Sequence, residues 1–87
     1  MTSKVHYMDN YLRFINVDGI IFPVVMKTGF VTIDMYGDIE LWYDQPYISG
    51  NGWDHQLEYG IDAGNIGVDP KRDWKTMCFD VETGEKV

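Results

Sequence analysis

Glycine divides this chain into short segments, and that spacing limits the secondary structure that it can form. Nine glycines occur in 87 residues, and runs rich in β-branched and aromatic residues lie between them. Frequent turn residues between such runs are typical of antiparallel strands. The sequence therefore predicts a mainly β fold, all-β or α+β, as a small antiparallel sheet or a partly closed barrel of about five strands built from consecutive hairpins.

Turn residues and the runs between them give the order of the predicted strands. Asp18-Gly19 is a preferred pair for a tight turn, and Gly37-Asp38 separates a second pair of runs. The predicted strands are residues 11–17, 20–26, 30–36, 39–44, 55–61 and 74–81, with loops at 45–54 and 62–73. Near the N-terminus apolar residues also recur at helical spacing, so residues 3–17 fit either a strand or a short N-terminal helix.

Length and residue types predict one small domain. The chain has room for a single domain, residues 1–87, and an aromatic content of 15% lets a small core bury a large area. Its one cysteine, Cys78, cannot form an internal disulfide, so nothing requires an oxidising compartment. The N-terminus lacks the apolar core of a signal peptide, and the most apolar run, residues 20–26, is too short for a membrane span. We therefore expect a complete small gene product that begins at Met1 and is soluble in the cytoplasm.

Charge narrows the class of partner. Fourteen acidic residues against seven basic ones give a formal net charge of −7. Nucleic acid is disfavoured as a direct ligand because contacts to phosphates need Lys and Arg, and anionic membrane surfaces are disfavoured for the same reason. A basic protein, or a protein that itself binds nucleic acid, is the partner that this charge favours.

The second predicted hairpin carries the strongest functional pattern. Side chains of a strand alternate between its two faces, so one parity should pack the core. The predicted core positions are Val31, Ile33, Met35, Ile39, Leu41 and Tyr43. The predicted outer face holds Phe30, Thr32, Asp34, Tyr36, Asp38, Glu40, Trp42 and Asp44. That outer face mixes carboxylates with large aromatic rings, which is typical of a binding surface.

The surrounding sequence strengthens this acidic pattern. No Lys or Arg occurs between Lys27 and Lys71, whereas eight carboxylates do. In the predicted 55–61 strand, Glu58 and Asp62 lie on the face opposite Leu57, Tyr59 and Ile61. The predicted partner-binding residues are Asp34, Tyr36, Asp38, Glu40, Trp42, Asp44, Trp53, Glu58 and Asp62. An acidic surface that only keeps a small protein in solution is the alternative.

The apolar run at residues 20–26 offers a second candidate surface. It is apolar at both parities, which indicates a strand buried on both faces in a small barrel. The alternative is a contact in a homodimer. Pro23 cannot donate a hydrogen bond to a neighbouring strand, which fits an edge strand.

Catalytic and metal-binding motifs do not emerge from the sequence. His6, His55 and Cys78 lack the spacing of metal ligands, and Cys78 lies among apolar residues that favour a buried, inert thiol. The glycine-rich segments 49–52 and 64–67 lack the lysine or the helix that a phosphate site needs. We therefore predict no enzymatic activity, no cofactor and no metal. The basic cluster at 69–75 makes the chain electrically bipolar, which allows a secondary contact or head-to-tail self-association.

In composition, the chain is similar to the small acidic inhibitors that phages and mobile elements encode, including DNA mimics and anti-CRISPR proteins. The similarity implies a viral protein acting in the host cytoplasm, and it assigns no residues. The leading hypothesis is a non-enzymatic inhibitor that occludes a basic, nucleic-acid-binding site on a larger protein. The alternatives are an assembly protein that forms a homo-oligomer through the 20–26 strand, and a small ligand-binding β-domain with Trp42, Trp53 or Trp74 stacking on the ligand.

Overall fold

A computed structural model describes residues 13–17, 19–24 and 29–87, and within the first two strands it describes the side chains of Phe14, Asn16, Ile21 and Pro23. The mainly β fold is confirmed, and the sheets are antiparallel and not closed into a barrel. Arg13–Val17 is a strand, whereas residues 3–12 of the alternative N-terminal helix lie outside the described residues.

Eight strands and one 3-10 turn make up the secondary structure of the described residues. They are β1 Arg13–Val17, β2 Ile20–Val24, β3 Phe30–Ile33, β4 Asp38–Trp42, β5 Tyr47–Ser49, β6 Gly52–Asp54, β7 Ile61–Asn65 and β8 Cys78–Asp80, with the 3-10 turn at Trp74–Thr76. β1 pairs with β2, β5 pairs with β6, and the central sheet has the order β7-β4-β3-β8. No helix of this described part is long and apolar enough to cross a membrane.

The hydrophobic core lies on one face of the central sheet. Four of the six predicted core positions, Val31, Ile33, Ile39 and Leu41, are confirmed as buried. The remaining core residues are Met77, Phe79 and Val81, with Ile66 partly buried against them. The prediction was wrong for Met35 and Tyr43, which are 46% and 67% exposed, because β3 and β4 end before these positions.

Part of the opposite face of the central sheet is also buried, which the alternation did not predict. Thr32, Trp42 and Cys78 are all 2% exposed or less. The Trp42 indole Nε1 donates a hydrogen bond of 2.9 Å to the Thr32 hydroxyl. A Cβ added at Gly60 would lie 2.7 Å from Trp42 Cζ2, so the indole ring rests closely against a backbone that has no side chain. The prediction that Trp42 is exposed was therefore wrong.

Strand boundaries after residue 44 differ from the prediction. The predicted loop at 45–54 contains the β5–β6 hairpin, and residues 55–60 of the predicted 55–61 strand form a loop. The strand that pairs with β4 is β7, and its register with β4 shifts between Ile39 and Glu40. The predicted last strand shortens to β8, along whose outer edge the C-terminus folds back, with Val87 N–H donating to the Cys78 carbonyl at 2.9 Å.

The first hairpin is confirmed, but its described face is not buried. β1 and β2 pair with Val17 opposite Ile20, and Gly19 N–H donates to the Asn16 side chain at 3.0 Å. Phe14 and Ile21 are 60% and 64% exposed. The expectation that this strand is buried on both faces was therefore wrong for the face that the structure describes.

Candidate functional site

Asp34 shapes the turn between β3 and β4. Its Oδ1 accepts the backbone N–H groups of Tyr36 at 2.9 Å and Asp38 at 3.0 Å, as a short acidic side chain does at the start of a turn. Gly37 has a φ of 84°, and an added Cβ there would overlap the Gly67 backbone. The turn is thus fixed by its own residues and by close packing on the 66–67 segment.

Five carboxylates lie close together around β3 and β4. Glu40 lies opposite Asp62 in the β4–β7 register, so both can face the same side of the sheet. The Asp38 carboxylate accepts a 2.7 Å hydrogen bond from the Asn65 amide, which ties the turn to β7. We call these residues the carboxylate cluster, consisting of Asp34, Asp38, Glu40, Asp54 and Asp62. Asp54 was not among the predicted binding residues.

Glu40 is the electrostatic centre of the carboxylate cluster. Its side chain is half-buried, and burial is the main reason that its pKa lies above the ordinary value of 4.5. The charges of Asp34, Asp38, Asp62 and Asp54 raise the pKa further. No Lys or Arg occurs between Lys27 and Lys71, so no basic residue from that stretch of the sequence relieves the repulsion. The cluster therefore carries an electrostatic cost that a positive ligand would reduce.

Glu58 anchors the loop of residues 55–60 to the end of β4. Its two carboxylate oxygens accept the backbone N–H groups of Tyr43 at 2.9 Å and Asp44 at 2.8 Å. Desolvation raises the pKa of Glu58, but these two donors and the nearby His55 outweigh it, so the pKa lies below its ordinary value. Glu58 was predicted to offer its charge to a partner, and the structure gives its carboxylate a role within the fold.

The same loop is held by two further hydrogen bonds. Asp54 Oδ1 accepts the His55 N–H at 2.7 Å, and His55 Nδ1 accepts the Leu57 N–H at 3.0 Å. Leu57 and Tyr59, on either side of Glu58, are 88% and 93% exposed. The alternation placed Leu57 and Tyr59 on the face opposite Glu58, and in the structure both are exposed while the carboxylate between them binds backbone N–H groups.

An open cleft of about 580 Å³ lies against this loop. We call it the tyrosine cleft, lined by Tyr47, Asp54, His55, Gln56, Leu57, Glu58 and Tyr59. It joins exposed apolar and aromatic surface to two carboxylates. The sequence did not identify Tyr47, Leu57 and Tyr59 as residues of a candidate binding surface. Gly60 was the local signal of a turn there, because the absence of a side chain lets the backbone pass close to Trp42.

Among the described residues, one group of side chains has the types and spacing of metal ligands. It consists of Asp44, His55 and Glu58, and a potential ligand atom of each lies within 4.8 Å of the others. Both Glu58 oxygens and His55 Nδ1 already accept backbone N–H groups. A cation would have to displace the bonds that hold the loop. The arrangement therefore serves the fold better than it would serve a metal ion.

The two remaining tryptophans form a structural contact. Trp53 is half-buried, and its indole Nε1 donates a 3.1 Å hydrogen bond to the Ile33 carbonyl. Its ring meets that of Trp74 edge to face, with centroids 6.4 Å apart. Trp53 was predicted as an exposed anchor, and its hydrogen bond and ring contact instead attach the β5–β6 hairpin to the central sheet.

Tyr36 is the one predicted aromatic anchor that is well exposed, at 54%. It lines a second groove, of about 450 Å³, on the side of the hairpin turn that faces the basic 69–75 segment. The lining residues are Asp34, Met35, Tyr36, Val68, Asp69, Pro70, Arg72 and Trp74. The predicted site residues thus separate into the carboxylate cluster with Tyr36, the Asp44–Glu58 group at the far end of β4, the buried Trp42 and the half-buried Trp53.

Comparison of the chain with protein-family models, curated proteins and solved structures finds no match.

Proposed function

We propose that this protein is a non-enzymatic binding protein that docks its carboxylate cluster onto a basic surface of a larger protein. The observation that carries the proposal is Glu40, a half-buried carboxyl whose pKa is raised by burial and by four neighbouring aspartates. Arginine and lysine side chains from a partner would relieve that repulsion. Arginine would also pair with two carboxylate oxygens at once.

The basic surface that we propose is one that binds nucleic acid. Such surfaces carry several Lys and Arg residues placed to contact successive phosphates. Closely spaced carboxylates present a comparable series of negative charges, and no Lys or Arg of the 28–70 window interrupts it. Occupation of the surface would inhibit the partner, as the compositional similarity to DNA mimics and anti-CRISPR proteins implies.

A displacement assay with two matched variants tests this function. Labelled duplex DNA is bound to protamine, an arginine-rich protein, and the acidic protein is titrated in. The variant D38N/E40Q removes two charges from the cluster but keeps an acceptor oxygen at each position. The control E82Q/E85Q removes two charges from the exposed C-terminal segment. Both variants have a formal net charge of −5, two less negative than the −7 of the native chain.

We expect the cluster variant to need about tenfold more protein for half-displacement, which corresponds to about 1.4 kcal/mol, and the control to change by less than about twofold. Salt also releases DNA from protamine, so the salt dependence is measured on direct binding of the acidic protein to protamine without DNA. That binding should disappear between about 0.1 M and 1 M salt, as the screening length falls from about 10 Å to about 3 Å. Equal losses in the two variants would show that net charge alone drives binding. Direct binding that persists unchanged at high salt would also contradict the proposal.

A homo-oligomeric assembly protein is the second candidate, and the exposed face of the first hairpin favours it. Phe14 and Ile21 are more than half exposed, and Pro23 is exposed beside them. A second copy could cover this face, whereas Pro23 hinders extension through its edge. Sedimentation tests the candidate: a dimer that dissociates in the variant I21K supports it, and a monomer at high protein concentration excludes it.

A further inference from the structure

We propose that the tyrosine cleft binds an arginine side chain of the basic partner and gives the interaction its specificity. This inference rests on the proposed function, in which the carboxylate cluster supplies the general attraction to a basic surface. It adds a neighbouring contact region at the end of β4, which shares Asp54 with the carboxylate cluster and has a stated occupant and its own variants.

The cleft is held in shape before any partner arrives. Glu58 binds two backbone N–H groups of residues 43 and 44, and the Asp54–His55 and His55–Leu57 bonds hold the approach to the loop. Because the Glu58 side chain turns inward, the two flanking side chains are directed outward. A loop that is ordered in advance loses little conformational entropy on binding, so its exposed groups can contribute more to affinity.

The exposed side chains of the cleft are large and apolar. Leu57 and Tyr59 are 88% and 93% exposed, and Tyr47 on β5 is 46% exposed. Their exposure has a free-energy cost that burial in a complex would recover, and tyrosine is among the residues that most often dominate binding energy. The cleft is therefore suited to contact with a protein side chain.

The polar groups of the cleft select the charge of the occupant. Asp54 is the carboxylate available to an occupant, because one of its oxygens, Oδ1, accepts a hydrogen bond within the fold, whereas both oxygens of Glu58 do, and no Lys or Arg of the described residues lines the cleft. A guanidinium group suits this combination better than an ammonium group, because it is planar, stacks on a tyrosine ring and donates to a carboxylate along its edge. A lysine would gain the charge attraction but not the stacking.

Two peptides of equal length and charge, oligo-arginine and oligo-lysine, test the inference. Binding is measured by isothermal titration calorimetry at low salt. We expect the native protein to bind the arginine peptide about tenfold more tightly than the lysine peptide. The variant Y59S should bind both peptides with the affinity of the lysine peptide.

The control is Y43S, which removes a tyrosine that is 67% exposed but does not line the cleft. It should keep the preference for arginine, and thermal melting checks that both variants are folded. If Y59S binds both peptides as the native protein does, the cleft proposal is overturned and the proposed function stands. If the native protein binds neither peptide at low salt, both are overturned.

Discussion

The buried hydrogen bond between Trp42 and Thr32 gives the sharpest test of the fold. Thr32 is fully buried on β3, and its hydroxyl accepts the Trp42 indole N–H at 2.9 Å. In the variant T32V the side chain keeps nearly the same shape and loses the acceptor. The indole N–H then has no partner, and Trp42, at 2% exposed, cannot turn it toward water without moving.

The expected cost follows from that loss. A buried donor left without an acceptor destabilises a protein by about 1–3 kcal/mol, whereas removing both partners of a hydrogen bond costs much less for the bond itself. For a domain of this size, about 2 kcal/mol corresponds to a fall in Tm of roughly 8–16 °C. The T32V substitution is therefore also made in the variant W42F, in which the indole donor is absent and a smaller ring fills the site.

Urea unfolding followed by far-UV circular dichroism measures all four proteins of this double-mutant cycle. The T32V substitution should cost about 2 kcal/mol in the native background and less than about 1 kcal/mol in W42F. A T32V protein as stable as the native one would refute the reasoning. So would an equal cost in both backgrounds, because it would show that the hydroxyl does not act through the indole.

Three further predictions follow from single residues. The pKa of Glu58 is depressed in the folded state, so its ionised side chain stabilises the fold above the unfolded pKa and the benefit is lost as pH falls through the folded pKa. The stability difference between native protein and E58Q in denaturant titrations should therefore be present at neutral pH and shrink as pH falls below the ordinary value of 4.5. G37A should lower the free energy of unfolding by more than about 2 kcal/mol, whereas G19A, at nearly the same φ (83° against 84°) but with no atom of the described residues other than its chain neighbours within 4 Å of the added Cβ, should cost only about 1 kcal/mol in the same assay. Burial raises the pKa of the Cys78 thiol to about 11, so iodoacetamide should modify it at neutral pH only after the protein is unfolded, which mass spectrometry can follow.

The alternation of residues predicted one half of the central sheet and failed on the other half. Val31, Ile33, Ile39 and Leu41 were placed correctly because strand side chains point to opposite faces with a period of two. The same rule placed Trp42 outside because it assumes that the second face is wet. Here both faces of β3 are buried, and alternation cannot distinguish that case when the second face also carries charged residues.

The edge strand β7 shows why local pattern was insufficient beyond residue 54. Residues 61–65 are all exposed, and four of the five, an aspartate, an alanine, a glycine and an asparagine, are of types that are depleted in strands. Pairing with β4 makes them a strand. Residues 55–60 alternate more regularly, yet Glu58 there binds two backbone N–H groups from its side chain, and a sequence pattern does not reveal that contact.

The structure separates carboxylates that serve the fold from one that opposes it, and this separation yields a last prediction. Asp34 and Glu58 bind backbone N–H groups, whereas the charged form of Glu40 is disfavoured by burial and by its neighbours. A cationic ligand at the cluster must lower the raised pKa of Glu40, and linkage then requires that affinity rise with pH up to the raised pKa, with protons released on binding in that range. Calorimetry with oligo-arginine in two buffers of different ionisation enthalpy should detect that release, and E40Q should abolish most of it. If native protein and E40Q release equal numbers of protons, Glu40 is not the residue that the ligand neutralises.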